Sequence, residues 1–192
     1  MTDKLEKLKA KATTFRLKEA LGAGLSRRDI YYYAQKGLIV RVAHGLYRFP
    51  DETEPTDLHS ELKRLLLLCP QCVVGLRTAL KLYDLTDEIT AEIDLLAPTT
   101  NMPKRKLDGV RIHTTPPKLM KVGVTDINGI KVTTLERTVI DLLRKGEPLS
   151  LALTVLKTAQ KKGIGIELTQ VKKLGDKFRV SKKVQTLLEA FL

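Results

Sequence analysis

Apolar positions near the start of the chain recur at the spacing of helices. Leu5 and Leu8 lie three apart among lysines, which predicts a first helix over residues 3–12. A second apolar run, over residues 15–21, is also predicted to be helical, and the glycines that follow it end the run. The chain is therefore expected to open with two short helices.

A third helix has well-defined predicted ends. Ser26 is a favourable N-terminal cap, Asp29 follows three residues later as a capping-box acid, and Gly37 supplies a left-handed stop. These signals predict a helix over residues 27–36. Its residues Ile30, Tyr33 and Ala34, together with Leu38, are predicted to pack on the helices before it.

The pattern changes from helical spacing to alternation directly after this helix. Residues 39–43 and 46–49 are predicted to be two short strands that turn at His44 and Gly45. Helix, turn, helix and hairpin in this order predict a winged helix-turn-helix domain over residues 1–50.

The acidic segment over residues 51–57 contains Pro55 and is predicted to be a linker. Thr56 is predicted to cap the leucine-rich helix that follows. Asn128 and Gly129 give the strongest short hairpin signal in the chain. Further strands are predicted at 73–74, 92–97 and 110–114, and further helices at 76–83, 135–144, 149–161, 168–174 and 182–191.

The fold class predicted from these elements is α+β. A winged helix-turn-helix domain over residues 1–50 and the linker over residues 51–57 precede a mixed α/β domain over residues 58–192, which ends in a helical C-terminal tail.

Charge is distributed unevenly along the chain, whose formal net charge is +12. Residues 1–50 carry 11 Lys and Arg against four Asp and Glu, residues 51–154 are close to neutral, and residues 155–192 carry nine against three. A polyanion such as nucleic acid is the first partner to consider. The basic C-terminal segment fits either a second polyanion-binding surface or an ordinary solvated helix face.

The sequence has no secretory signal pattern at its start and no apolar stretch near the roughly 20 residues that span a bilayer. We therefore expect a cytoplasmic protein without membrane association.

The outward faces of the predicted third helix combine cations, phenols and an amide. Such groups suit both phosphate contacts and hydrogen bonds to base edges. The helix residues predicted to contact DNA are Ser26, Arg27, Arg28, Tyr31, Tyr32, Gln35 and Lys36. Base contacts are assigned to Arg27, Arg28 and Tyr31, because such helices reach bases with their N-terminal part, and backbone contacts to Gln35 and Lys36.

The hairpin adds Arg41, His44 and Arg48, which are predicted to contact phosphates or the adjacent minor groove. The structural alternative for each of these residues is a solubilising surface charge, and for the three consecutive tyrosines a partly buried position.

Several stretches resemble the AbiEi family of transcriptional-regulator antitoxins. They are ALGAGLSRRDIYYYAQKGLIVRVAHGLYRF, VVGLRTALKLYDL, EIDLLAP and VTTLERTVIDLLRKG, which together extend from Phe15 to about Gly146. The residues that carry the family pattern are Arg41, Val42, Gly45 and Tyr47 in the hairpin, and Glu136, Arg137, Thr138, Asp141 and Leu142 farther along.

The resemblance implies a repressor that binds inverted repeats of double-stranded DNA in its own promoter. It also implies an antitoxin, belonging to a type IV abortive-infection system, that counteracts a nucleotidyltransferase toxin without a stable complex. Such a protein is expected to be a monomer or a dimer induced by DNA, without a cofactor or enzymatic activity.

The stretch from Glu136 to Asp141 has a structural explanation as well. Thr133 or Thr134 is predicted to cap the helix, and Arg137 lies four residues from Asp141, at the spacing of an intrahelical pair. These residues are therefore interpreted as scaffold.

Enzymatic alternatives rest on two acidic patterns. Glu92 and Asp94 alternate on a predicted strand, as the magnesium-binding carboxylates of a nucleotidyltransferase do, which leaves a partner-binding or degenerate nucleotidyltransferase-like domain as the alternative function. Glu61 and Lys63 form a nuclease-like Glu-x-Lys pattern on a leucine-rich helix. Neither pattern has the supporting motifs, so no catalytic residue is predicted.

Cys69 and Cys72 are predicted to be buried thiols between a helix and a strand. A structural zinc site needs four ligands, and the three histidines are scattered along the chain, so no metal site is predicted.

Overall fold

The computed structural model describes residues 3–50, 57–88, 90–104 and 106–192. The chain divides into two compact units, Met1–Pro70 and Gln71–Leu192. The first unit contains a three-stranded sheet and the second a five-stranded sheet, each accompanied by helices. The predicted α+β class is confirmed.

The first unit is built around a small antiparallel sheet. Its elements are α1 (Asp3–Lys11), β1 (Thr14–Arg16), α2 (Leu17–Gly22), α3 (Arg27–Gln35), β2 (Val40–Ala43), β3 (Leu46–Arg48) and α4 (Leu58–Leu68). The strands lie in the order β1-β3-β2. Leu5, Phe15, Ile30 and Phe49 are buried in one apolar core with their neighbours from α1, α3 and the sheet.

The predicted helix over residues 15–21 is wrong at its start. Phe15 lies in β1 opposite Tyr47, and its ring stacks on the Tyr47 ring with centroids 5.9 Å apart. The helix begins only at Leu17, where the Glu19 carboxylate accepts a hydrogen bond from the Arg16 backbone amide at 2.6 Å. Threonine and phenylalanine favour strands, and pairing with the distant β3 decides the conformation.

Helix α4 packs in the first unit and is joined to β1 by Arg16. The Arg16 guanidinium donates to the Leu66 carbonyl at 3.2 Å and to the Leu67 carbonyl. These carbonyls belong to the last turn of α4, where backbone acceptors lack helical partners. The sequence predicts the domain boundary at residues 51–57. The first compact unit of the structure, which is defined by contacts among its own residues, continues to Pro70.

We expect Arg16→Met to loosen α4 within the first unit. The substitution keeps an apolar stem but leaves the two carbonyls without their charged donor, and hydrogen bonds to charged groups contribute about 1.5–3 kcal/mol. Hydrogen exchange of the α4 amides measures the effect, with Lys18→Met on the exposed surface of α2 as the control. Unchanged α4 protection in Arg16→Met would contradict the anchoring role.

The start of α4 corrects the predicted cap. The helix begins at Leu58, and its cap is Asp57, whose carboxylate accepts a hydrogen bond from the Ser60 backbone amide at 2.9 Å. Thr56, which was predicted to cap it, and the rest of the predicted linker up to that residue lie outside the described residues. The hydrogen bond from the Ser60 amide lowers the pKa of Asp57.

The second unit combines a mixed sheet with helices. Its elements are β4 (Val73–Val74), α5 (Leu76–Leu82), β5 (Ile93–Pro98), β6 (Val110–Thr115), a 3-10 turn (Pro117–Leu119), β7 (Val124–Ile127), β8 (Ile130–Thr133), α6 (Leu135–Lys145), α7 (Leu149–Lys161), α8 (Leu168–Lys177) and α9 (Ser181–Phe191). The strand order is β6-β5-β4-β8-β7, and β5 with β6 and β4 with β8 are parallel pairs. The hairpin predicted at Asn128 and Gly129 is confirmed.

A buried ion pair organises the core beside α6. Thr134 caps the helix, and Arg137 Nε lies 2.7 Å from Asp141 Oδ2, which confirms the predicted cap and intrahelical pair. Both side chains are wholly buried, which the sequence did not predict. The Arg137 guanidinium also donates to the carbonyls of Leu119 and Val122 at 2.9 and 2.5 Å. Its carbon lies 4.0 Å from the centroid of the Phe178 ring in the α8–α9 turn. Arg137 therefore ties three segments of the second unit together.

Candidate nucleic-acid interface

Local hydrogen bonds fix both ends of α3. The Ser26 hydroxyl accepts from the Asp29 backbone amide at 3.1 Å, and the Asp29 carboxylate accepts from the Ser26 backbone amide at 2.7 Å. This reciprocal pair satisfies two amide donors at the helix N-terminus. At the other end Gly37 has φ +69°, a conformation that other residues rarely adopt. Both predicted boundary signals are confirmed.

The inward face of α3 holds the helix against the core of the first unit. Ile30 and Tyr33 are buried, while Ala34 and Leu38 are partly buried and pack against the same cluster. The predicted packing face is therefore confirmed. Since this face is occupied by apolar neighbours, the remaining faces of α3 are the ones that meet solvent.

The outward faces of α3 carry every helix residue that the sequence assigned to DNA. Tyr31 is 69% exposed and Tyr32 is 54% exposed, values that are unusual for such large rings. The other exposed members are Ser26, Arg27, Arg28, Gln35 and Lys36. The cations and the phenols thus lie together on the solvent side of one short helix.

The exposed residues of α3 form two stripes, which differ in what they face. Arg27, Tyr31 and Gln35 line a groove of about 550 Å³ whose other wall includes Val40 and Arg41 of β2. The second stripe, which is formed by residues 28, 32 and 36, does not line this groove, and the Lys36 ammonium lies 5.9 Å from the centroid of the Tyr32 ring. Only the first stripe therefore faces the hairpin.

The three hairpin residues that were predicted to contact DNA differ in their exposure. Arg41 of β2 and His44 of the turn are both exposed, and Arg41 Nη2 lies 3.0 Å from His44 Nδ1. A guanidinium has no acceptor atom, so Arg41 is the donor in this contact. Arg48 differs from the other predicted contacts because its side chain is partly buried.

Asp29 is the one acidic residue in the sequence from Ser26 to Arg48. Its carboxylate is hydrogen-bonded to the α3 N-terminus, and the hydrogen bond from the Ser26 backbone amide, followed by one from the Ser26 side chain, lowers its pKa. The surface around α3 and the hairpin is thus strongly cationic. We call this surface, made of the exposed residues of α3 together with Arg41 and His44 of the hairpin, the basic surface.

The carboxylates of the acidic patterns considered for catalysis contact basic side chains. Asp94 is buried in β5 and accepts from His113 Nε2 at 2.8 Å, whereas Glu92 precedes the strand and pairs with Arg111. Glu61 pairs with Arg64 on α4 at 2.6 Å, and both side chains are partly buried. Among the described residues no group of three or more His, Cys, Asp or Glu could hold a metal ion. The predicted burial of Cys69 and Cys72 is confirmed.

No helix in the described part of the chain combines the length and the apolar character that crossing a membrane requires.

The class of the first unit follows from comparison with known proteins. Residues 5–50 match a family model for transcriptional regulators of the antitoxin type. The family is AbiEi, and its model is described as "Transcriptional regulator, AbiEi antitoxin". The resemblance found in the sequence is therefore confirmed over residues 5–50. The resembling motifs after residue 50, up to about Gly146, lie outside the matched range.

Two further comparisons concern the whole chain. No curated protein matches it. Among solved structures, the RV2827C protein from Mycobacterium tuberculosis is similar over 93% of this chain and 76% of its own, with a TM-score of 0.50 and 14% sequence identity. At this identity the similarity concerns the fold alone.

Proposed function

We propose that the basic surface binds double-stranded DNA and that the protein represses its own promoter. The element order α1-β1-α2-α3-β2-β3, with the sheet order β1-β3-β2, supports a winged helix-turn-helix in which α3 is the recognition helix. The single observation that carries the proposal is the composition of the outward side of α3, where cations and exposed phenols lie opposite a fully packed apolar face.

Each predicted contact has a chemical role in this proposal. Arg27, Arg28 and Tyr31 lie in the first two turns of α3, the part of a recognition helix that reaches base edges. Gln35, Lys36 and Tyr32 provide backbone contacts, and Ser26 stands at the N-terminus of α3, where backbone amides without helical acceptors favour a phosphate. Arg41 and His44 contact the flanking backbone from the hairpin turn, and Arg48 supports them from a partly buried position.

A binding assay at several salt concentrations tests this function. The full-length protein is mixed with a duplex taken from the DNA upstream of its own gene and with a shuffled duplex of equal length. We expect tighter binding to the upstream duplex, and a logarithmic affinity that falls linearly with the logarithm of salt concentration. Equal affinity for the two duplexes would contradict a sequence-specific repressor.

We propose in addition that the protein counteracts a nucleotidyltransferase toxin encoded beside it. The family match over residues 5–50 supports an antitoxin role, and the contacts of Glu92 with Arg111 and of Asp94 with His113 argue for an action without catalysis by these carboxylates. Co-expression of the full chain with the neighbouring nucleotidyltransferase should restore growth. Glu92→Gln with Asp94→Asn should restore it equally, and loss of rescue by a folded variant would favour a catalytic role.

A further inference from the structure

The groove beside α3 has the size and lining of a small-molecule site. Its volume of about 550 Å³ falls within the range of about 300–1,000 Å³ that is usual for ligand pockets. The aromatic residues Tyr31 and Tyr47 line it together with the aliphatic residues Leu17, Ile39 and Val40. A planar apolar molecule would find favourable contacts on such a lining.

The polar groups of the groove are few and share one sign of charge. Arg27 and Arg41 line it together with the neutral amide of Gln35, and none of its lining residues in the described chain is acidic. Within the described part of the chain, Arg41 contacts a ring nitrogen of His44 and forms no ion pair with a carboxylate. Two guanidinium groups beside an apolar lining favour a ligand that carries a carboxylate or a similar anionic group.

Part of the apolar lining is open to solvent. Val40 is 43% exposed and Tyr31 is 69% exposed, although both belong to residue types that usually bury most of their surface. Removing this apolar surface from water is favourable, so a ligand that covers it gains affinity in addition to the ionic contact.

We propose that the groove binds a small planar aromatic carboxylate and that this ligand prevents α3 from binding DNA. The inference rests on the proposed function, because Arg27, Tyr31 and Arg41 belong both to the groove and to the basic surface. A ligand held by these residues occupies positions that DNA requires, so it acts as an inducer of the repressed promoter.

Calorimetry with 2-naphthoate on the full-length protein tests the site without DNA. We expect saturable binding of one equivalent, at least tenfold weaker binding of the neutral analogue 2-naphthamide, and about tenfold loss of 2-naphthoate affinity in Arg27→Gln. Lys18→Gln, which removes an exposed cation outside the groove, should bind as the wild type does. Equal affinity for the two naphthalene compounds would overturn the anionic assignment.

A second pair of variants locates the apolar contact. Val40→Asp places a carboxylate on the groove wall, whereas Leu21→Asp places one at an apolar position of similar exposure outside it. We expect 2-naphthoate binding to be lost in the first variant and kept in the second. Loss in both, or in neither, would overturn the location.

Competition with DNA distinguishes the inference from the function on which it rests. Saturating 2-naphthoate should lower the affinity for the upstream duplex at constant ionic strength. Acetate, a carboxylate without an aromatic ring, should not lower it at the same concentration. If the duplex binds but 2-naphthoate does not compete, the inference fails and the repressor function stands. If 2-naphthoate binds and no duplex does, the repressor function fails and the regulatory part of the inference fails with it.

Discussion

Replacing both Arg27 and Arg28 by Ala is expected to weaken binding to the upstream duplex and to reduce the salt dependence of that binding. Each arginine that neutralises a phosphate contributes about 0.9 to the slope of logarithmic affinity against logarithmic salt concentration, so the double variant should lose up to about 1.8. The loss of base contacts should in addition reduce the preference for the upstream duplex over a shuffled one. Fluorescence anisotropy at four or more salt concentrations measures both quantities.

The matched control replaces Lys172 and Lys173 with Ala. These residues are also adjacent, exposed and helical, and their replacement removes the same charge from α8 in the second unit. A decrease of equal size in the two variants would contradict the assignment to α3, because binding would then follow net charge. Alanine is a good helix former and both arginines are exposed, so the folded state of the double variant should be retained.

Arg137→Met is expected to destabilise the second unit by about 3–5 kcal/mol. The substitution removes the nearer partner of the buried Asp141 carboxylate and leaves Arg144 Nη1 3.9 Å from it, and breaking a buried ion pair is far more costly than the loss of an exposed one. Urea denaturation measures the change in the free energy of unfolding. Arg111→Met, which breaks the exposed pair with Glu92, should cost less than about 1 kcal/mol.

Two further measurements separate the charge from the volume of Arg137. Arg137→Met combined with Asp141→Leu should recover much of the lost stability, since apolar side chains often replace a buried ion pair without loss. If this double variant is no more stable than Arg137→Met, the cost comes from packing against Phe178 and the electrostatic explanation is wrong.

The same pair predicts a pH dependence. Burial raises the pKa of Asp141, and the Arg137 guanidinium opposes that increase. Without Arg137 the folded-state pKa should rise further above the unfolded value. A raised folded-state pKa gives stability that is present at low pH and is lost as pH increases through it. The difference between Arg137→Met and the wild type should therefore shrink on acidification below neutral pH.

Elements with local signals are the ones that the sequence predicted well. Ser26, Asp29 and Gly37 act within a few residues of the helix that they delimit, and Asn128 with Gly129 forms its turn without help from distant parts of the chain. Strand β1 was missed because three residues carry little periodicity and Phe15 becomes part of a strand only through pairing with β3.

The candidate site was predictable in composition but not in arrangement. The exposed residues of α3 follow from the apolar positions of Ile30 and Tyr33, which fix the buried face. The difference between the stripe that begins at Arg27 and the one that begins at Arg28 depends on where the hairpin lies, which is a tertiary fact. The role of Arg16 in holding α4 could not be predicted from the sequence either, because its partners are backbone carbonyls about fifty positions later.

The anchoring of α4 has a consequence for how this part of the protein can be exchanged between genes. The family match ends at Pro50, yet the carbonyls that receive the Arg16 guanidinium lie in the last turn of α4, after a further stretch of chain. A recombination event that cuts at Pro50 leaves that guanidinium without acceptors and uncovers the surface on which α4 rests. The transferable segment is therefore expected to extend to Pro70, and chimeras joined there should express as soluble protein more often than those joined at Pro50.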